Sequence, residues 1–281
     1  MHTSLKKYFP IFTLPTLIAF LIAFLIPFVM GIYLSFTEFT TVTNASFVGF
    51  QNYIRAFGED KNFLNALWFT IRFAVISIIS INIFAFLLAL ALTKGLKGTN
   101  TYRAVFFMPN LIGGIVLGYI WQIIINGFLL NLGVDITYNA NYGFWGLVVL
   151  MNWQMIGYMM IIYIAGINNI PPELIEAAKI DGAKPTQILW KITVPMTMPA
   201  ITICTFLTLT NSFKLFDQNL ALTAGAPNRE TSMLALDIYQ TFYGRVGYEG
   251  VGQAKGVVFF ALVAVLALAQ LYFTRSREVN A

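Results

Sequence analysis

Six stretches of the chain carry almost no charged residues for about 20 positions each, and between them charged and turn-forming residues return. The apolar runs lie near Ile11–Tyr33, Trp68–Leu92, Val105–Ile125, Phe144–Ile167, Ala200–Leu222 and Gly256–Phe273. A helix rises about 1.5 Å per residue and bilayer hydrocarbon is about 30 Å thick, so each run can cross a membrane as a helix. Lipid offers backbone N–H and C=O groups no partners, which leaves helices or closed barrels, and these runs are too long and too continuously apolar for barrel strands. The pattern predicts an all-α, polytopic membrane protein with about six transmembrane helices. The first run follows Lys6 and Lys7 as a signal peptide would. It is longer than a secretory apolar core and no small-residue cleavage site follows it, so it is expected to stay as an anchor.

Composition agrees with this reading. Of 281 residues, 58% are hydrophobic and 10% charged, where a soluble domain has about 45–50% and about 25%. Lys and Arg number 17 against 12 Asp and Glu, a net charge of +5. These cations do not cluster on one face as a nucleic-acid surface requires. They alternate by connection instead. Lys6 and Lys7, then Lys94, Lys97 and Arg103, then Lys179, Lys184 and Lys191, then Arg275 and Arg277 fall on one side of a six-span chain. Positive charge is in excess in cytoplasmic loops, so both termini are expected in the cytoplasm of a multi-pass protein of the cell membrane. With no internal repeat and no low-complexity linker, residues 1–281 read as a single transmembrane domain, its outer loops Thr37–Asn65 and Thr223–Ala254 capping the helices. A single cysteine, Cys204, and a single histidine, His2, exclude an internal disulfide and leave no metal-ligand or Ser/His/Asp set. The chain also lacks a G-x-x-x-x-G-K-[ST] phosphate loop. A non-catalytic membrane subunit without a cofactor of its own is expected.

The strongest local signal lies between the fourth and fifth runs, from Pro171 to Pro199. Pro172 suits the first turn of a helix and Glu173 that end's electrostatics. Glu176, Ala177 and Ala178 then present a small-residue surface, and Gly182 stands where a helix closes in the left-handed conformation. Pro185 can open a second short helix with Ile188, Leu189 and Ile192 on one face, which Pro195 and Pro199 are expected to stop. The segment predicts an amphipathic elbow, and on physical features alone an interfacial helix in the headgroups fits as well.

The spacing of Glu176-Ala177-Ala178, Asp181-Gly182-Ala183, Ile192, Pro195 and Pro199 resembles the EAA loop of permease subunits in binding-protein-dependent ABC importers. Tyr33–Thr37, Phe47–Tyr53, Tyr102–Pro109, Phe216-Asp217 and Leu222–Pro227 are similar to the sugar-importer branch. The Pro15–Thr37 stretch is similar to the first permease of the pair in glycerol-3-phosphate, lactose and multiple-sugar importers. One departure is Ala226, where the family pattern has a second glycine. The resemblance implies a type I ABC importer permease fold in which loop 171–199 is a cytoplasmic coupling elbow. Glu176, Ala177, Ala178, Asp181 and Gly182 would dock an ATPase and transmit its closure. It further implies a second permease subunit forming a heterodimer, two ATP-binding subunits that hold ATP and Mg, and an extracytoplasmic sugar-binding protein. A secondary, ion-coupled transporter is the alternative, against which stands the absence of visible repeats and interrupted helices.

The fifth run contains Asn211, Lys214, Asp217 and Gln218. Lys214 and Asp217, three residues apart, are expected on one helix face, either as a local ion pair or as a wall of the sugar pathway. Trp153, Gln154 and Tyr158 in the fourth run are further candidates for that wall.

Overall fold

The computed structural model describes residues 2–41 and 43–275, the side chains of residues 2–8 and 10 excepted; Arg277 lies outside the described residues. Helix α1 (His2–Phe20) runs through a π-helical turn (Leu21–Leu25) into α2 (Ile26–Leu34). A two-stranded antiparallel ribbon, β1 (Thr37–Glu38) with β2 (Ser46–Phe47), pairs Thr37 with Phe47 and Glu38 with Ser46. Then follow α3 (Gln51–Ile54), α4 (Lys61–Leu92), α5 (Thr99–Phe107), α6 (Gly114–Leu129), α7 (Ala140–Asn168), α8 (Pro172–Ile180), α9 (Pro185–Ile188), α10 (Val194–Met196), α11 (Met198–Phe213), α12 (Asp217–Leu222), α13 (Leu234–Gly244) and α14 (Glu249–Arg275). Among the described residues, five helical stretches are long and apolar enough to cross a membrane: Ile11–Leu34, Lys61–Leu92, Gly114–Leu132, Ala140–Asn168 and Glu249–Arg275. A sixth is the pair Pro185–Met196 and Met198–Phe213, bent by 68°.

Two of the predicted spans are broken. The third does not start at Val105. Pro109 lacks a donor, so Met108–Leu111 tightens into a 3-10 turn and Ile112 is extended (φ −84°, ψ 129°) before α6 begins at Gly114. The fifth is not one helix from Ala200 to Leu222, because α11 ends at Phe213 and α12 begins at Asp217. Pro195 is passed by one residue: its helix ends at Met196, and after the bend at Thr197 α11 opens with Pro199 in its first turn, so the stop falls between the two prolines. Two π turns end two residues before a proline, Leu21–Leu25 before Pro27 and Leu189–Thr193 before Pro195. The N–H of Ile26 reaches back to the Leu21 carbonyl and that of Val194 to the Leu189 carbonyl. This wider turn re-pairs the backbone around a residue that cannot donate, so the helix passes the proline.

The described backbone falls into two compact units, one up to residue 63 with 238–260 and the other 64–237 with 261–275. In the first unit, Asn52 donates to the carbonyls of Ser35 (3.0 Å) and Thr37 (2.8 Å), and Ser35 and Tyr53 share a 2.7 Å hydroxyl contact. The Lys255 ammonium is fully buried, 2.9 Å from Asp60 Oδ2, with Thr241 Oγ1 at 2.8 Å and the Phe63 ring at 5.1 Å. Arg245 approaches the same carboxylate at 3.1 Å. The second unit has its core along α7, where Leu147, Leu150, Met151, Met159, Met160 and Tyr163 are buried. Tyr163 donates to Asn82 Oδ1 (2.6 Å), and Asn82 to Thr208 Oγ1 (3.3 Å), a polar chain joining α7, α4 and α11 across an apolar core.

Burial by itself would raise the Asp60 carboxyl, but the Lys255 hydrogen bond and charge, with Arg245 beyond, outweigh it and hold the group below the ordinary carboxylate range. Its contribution to stability is therefore complete above the unfolded-chain value of about 3.9 and is lost as pH falls through the lower folded-state value. Replacing the carboxylate by Asp60→Asn removes a charged acceptor from a buried ammonium and is expected to cost about 2 kcal/mol. A thermal unfolding series of the purified transporter checks this. Wild type should lose stability as pH falls below about 4, and the variant should lose less over the same range.

Candidate functional site

Two features of the second unit gather the residues singled out in the sequence. The first is the elbow. Helix α8 opens on Pro172 with Glu173 in its first turn and Lys179 in its last, both favourable to the helix dipole. It closes on Gly182, whose φ of +76° is left-handed. The Gly182 N–H bonds to the Lys179 carbonyl (3.0 Å) and the Ala183 N–H to the Ala178 carbonyl (2.9 Å). This doubly bonded closure fixes α8 and the turn as one rigid piece. Gln187 Oε1 then accepts from the Lys184 N–H (2.7 Å), securing the start of α9. Between the two helices lies a cleft of about 350 Å³ lined by residues including Ala178, Asp181, Gly182 and Lys191. Glu176 and Ala177 are exposed, and so are Leu174, Ile180 (86%) and Trp190 (68%). The elbow therefore offers small and apolar side chains on its free surface.

The second feature is a cleft of about 160 Å³ lined by Asn110, Met151, Gln154, Met155, Asn211, Lys214, Leu215 and Gln218. Both span breaks meet here: Asn110 belongs to the 3-10 turn before α6, and Lys214 and Leu215 to the gap between α11 and α12. Backbone that leaves the helix at membrane depth is tolerated where it is buried or lines a cavity, and this cleft meets that condition. Gln218 donates to Gln154 Oε1 (2.9 Å), and Gln154 donates weakly to the Ile112 carbonyl (3.5 Å). Asn211 is tied to its own helix through the Leu207 carbonyl (2.8 Å).

Of the residues expected on this wall, Asn211, Lys214 and Gln218 line the cleft, with Gln154. Asp217 does not, and among the described residues no ion pair joins it to Lys214. The expected shared helix face is absent because the helix ends between them. Trp153 stands edge-on to Trp121 (5.7 Å between centroids) and Tyr158 beside Phe107 (6.3 Å), so neither aromatic reaches the cleft. Asn110, Met151 and Met155 were not legible from spacing, since they converge only when the breaks form.

Glycines set these positions. A β-carbon at Gly114 would fall 2.7 Å from Asp217 Cβ, one at Gly118 2.5 Å from Ala221 Cβ, and one at Gly157 1.8 Å from the Phe106 carbonyl oxygen. The Gly114-x-x-x-Gly118 spacing thus seats α12 against α6, a small-residue signal that could have located the contact. Asn219, fully buried, donates to the Thr231 carbonyl (2.8 Å) and Thr223 Oγ1 (3.0 Å) and accepts from the Met233 N–H (2.9 Å), holding the following loop to α12. In that loop Gly225 is left-handed (φ +89°) and Ala226 is not, so the alanine departing from the family pattern imposes no strain.

Comparison with known proteins gives these features a context. Residues 82–279 match the family described as binding-protein-dependent transport system inner membrane component. A probable starch degradation products transport system permease protein, AmyD of Thermoanaerobacterium thermosulfurigenes, is 44% identical over 96% of this chain and 94% of its own. A multiple sugar-binding transport system permease protein, MsmF of Streptococcus mutans, is 29% identical over 98% of each. In structure, the chain is similar to one from a bacterial alginate ABC transporter crystallised in complex with an alginate pentasaccharide-bound periplasmic protein. The TM-score is 0.81 at 20% identity, over 100% of this chain and 99% of that one. The helix breaks that would also suit an ion-coupled carrier therefore do not decide the matter, and the chain belongs to the inner membrane component family of binding-protein-dependent transport systems.

Proposed function

We propose that the chain, acting as one permease domain over residues 1–281, is the carbohydrate-conducting subunit of an ATP-driven importer. The observation that carries the reading is continuity: the rigid elbow leads through the bend at Thr197 directly into α11, whose far end supplies Asn211 and, at its cap, Lys214 to the cleft. Sixteen helical residues bridge the two, a lever of about 24 Å. Movement imposed at the elbow would reach the cleft without passing through a flexible segment.

The exposed Glu176 and Ala177 and the half-buried Ala178, with Asp181 and Gly182, form the docking face for one of two separate ATP-binding subunits, which hold ATP and Mg. The alanines permit close approach and Glu176 offers a charge to a basic partner. The excess of positive charge in cytoplasmic loops supports taking the side bearing Lys94, Lys97, Lys184 and Lys191 as the cytoplasmic one, with both termini on it. A cleft of about 160 Å³ is smaller than the roughly 300–1,000 Å³ of typical small-molecule sites. This supports a pathway completed by a second permease subunit. An external sugar-binding protein delivers the solute, and the names of the relatives favour oligosaccharides.

Proteoliposomes holding the assembled transporter test this reading. Uptake should require ATP on the elbow's side together with the external binding protein, and should persist when ion gradients are collapsed; gradient-driven uptake without ATP would replace the proposal with a secondary carrier. Gly182→Val meets no steric neighbour but forces a β-branched residue into a left-handed backbone, at about 1–2 kcal/mol. Insertion should survive while ATPase association and uptake fall, and Glu176→Lys should act in the same direction.

The cleft generates a separate prediction. Since Lys214 and Asp217 form no pair, Lys214→Gln should lower uptake several-fold while leaving binding-protein-stimulated ATP hydrolysis intact. Asp217→Asn should leave uptake near normal, and the double variant should match Lys214→Gln. Rescue of Lys214→Gln by Asp217→Asn would restore the ion-pair account.

A further inference from the structure

A larger cleft, of about 820 Å³, lies between the first turns of α7 and the N-terminal half of α4. Its walls are Asn65, Trp68, Phe69, Arg72, Val75 and Ile76 on α4, Asn141, Phe144 and Trp145 on α7, and Glu230 from the loop after α12. Nothing in the transport reading uses it. Arg72 is exposed within a membrane-spanning helix, its guanidinium 5.8 Å from the centre of the Phe144 ring, and it makes no ion pair with Glu230 or with any other described residue. Trp68 and Trp145 are both more than half exposed.

The depth of the cleft follows from helix length. Crossing the hydrocarbon takes about 20 residues. Counting back that distance from Leu92 reaches the neighbourhood of Phe73, and from Asn168 the neighbourhood of Val149. The T-shaped contacts of Phe144 with Phe69 and Phe73 put the two helices in the same register. Arg72 therefore stands at the hydrocarbon boundary. Asn65, Trp68, Asn141 and Trp145 lie above it among the headgroups, and Val75 and Ile76 lie below it among acyl chains. Both helices enter from the side opposite the elbow, because an odd number of crossings separates this end of α7 from Pro172.

From this arrangement we propose that the cleft binds the zwitterionic headgroup of an amine-bearing phospholipid, of the ethanolamine class. Four observations carry the assignment together. The walls change from polar to apolar along the membrane normal, as a lipid does and a sugar does not. One cation and one anion face the same space without pairing, which complements a phosphate and an ammonium in one molecule. Two exposed tryptophans flank it at headgroup level, where indole rings are favoured and can also receive the ammonium. The volume falls within the range of small-molecule sites. Arg72 takes the phosphate and Glu230 the ammonium, while the acyl chains descend past Val75 and Ile76.

The test uses the assembled transporter in detergent, titrated with phosphatidylethanolamine or phosphatidylglycerol of matched chains, with bound lipids counted by native mass spectrometry. Wild type should retain one phosphatidylethanolamine with at least a 5-fold preference over phosphatidylglycerol. Arg72→Gln should lose that lipid, and Arg72→Lys should keep it, since a lysine preserves the charge. Glu230→Gln should bind both lipids alike. Free phosphoethanolamine at millimolar concentration should not displace the lipid, because it lacks the acyl chains. Equal occupancy in wild type and Arg72→Gln overturns the proposal, as does a wild-type preference for phosphatidylglycerol. Loss of the second permease subunit from Arg72→Gln with lipid counts unchanged would assign the cleft to a protein interface instead.

Discussion

Inside hydrocarbon a backbone must satisfy its own N–H and C=O groups, and the architecture of this chain follows from where it can and cannot do so. Pro27 and Pro195 threaten the pairing of long helices, and each is absorbed by a π turn placed two residues ahead. Pro109 and the residues Lys214–Phe216 are treated differently: there the helix stops, and the freed backbone is gathered around one small polar cleft. The helix runs past the first two prolines and is given up where a cavity is formed.

The same economy governs the glycines. Gly114, Gly118 and Gly157 let helices approach to distances that no side chain permits, which brings the two breaks side by side. Gly182 has open space around it and is required for its backbone angle alone. A glycine at a contact and a glycine at a turn look alike in a sequence but answer to different constraints. Polar residues show a similar division. Lys255, buried against Asp60, fastens the first unit, whereas Lys214, on the cleft, remains open to a solute or a partner chain.

Most of the fold was legible because apolar length is a local property: the first, second, fourth and sixth runs match Ile11–Leu34, Lys61–Leu92, Ala140–Asn168 and Glu249–Arg275 closely. The elbow was legible too, since proline, small residues and glycine encode it at short range. What run length did not supply were the interruptions, at Ile112 behind Pro109 and at Lys214, where no proline or glycine marks the end of the helix. With them went the assumed Lys214–Asp217 pair, and Trp153 and Tyr158 stand outside the lining of this cleft. Periodicity assumes an unbroken helix, and one break rotates every residue beyond it.

The central claim is that motion of the elbow is transmitted along α11 to the cleft. Its most direct test is the labelling rate of a cysteine at Asn211 by a thiol reagent, with and without a non-hydrolysable ATP analogue, in the assembled transporter on a Cys204→Ser background. Transmission predicts that nucleotide changes the rate several-fold, and that Gly182→Val abolishes the change while leaving the basal rate alone. A rate indifferent to nucleotide in the parent, or an undiminished response in the Gly182→Val variant, would contradict it.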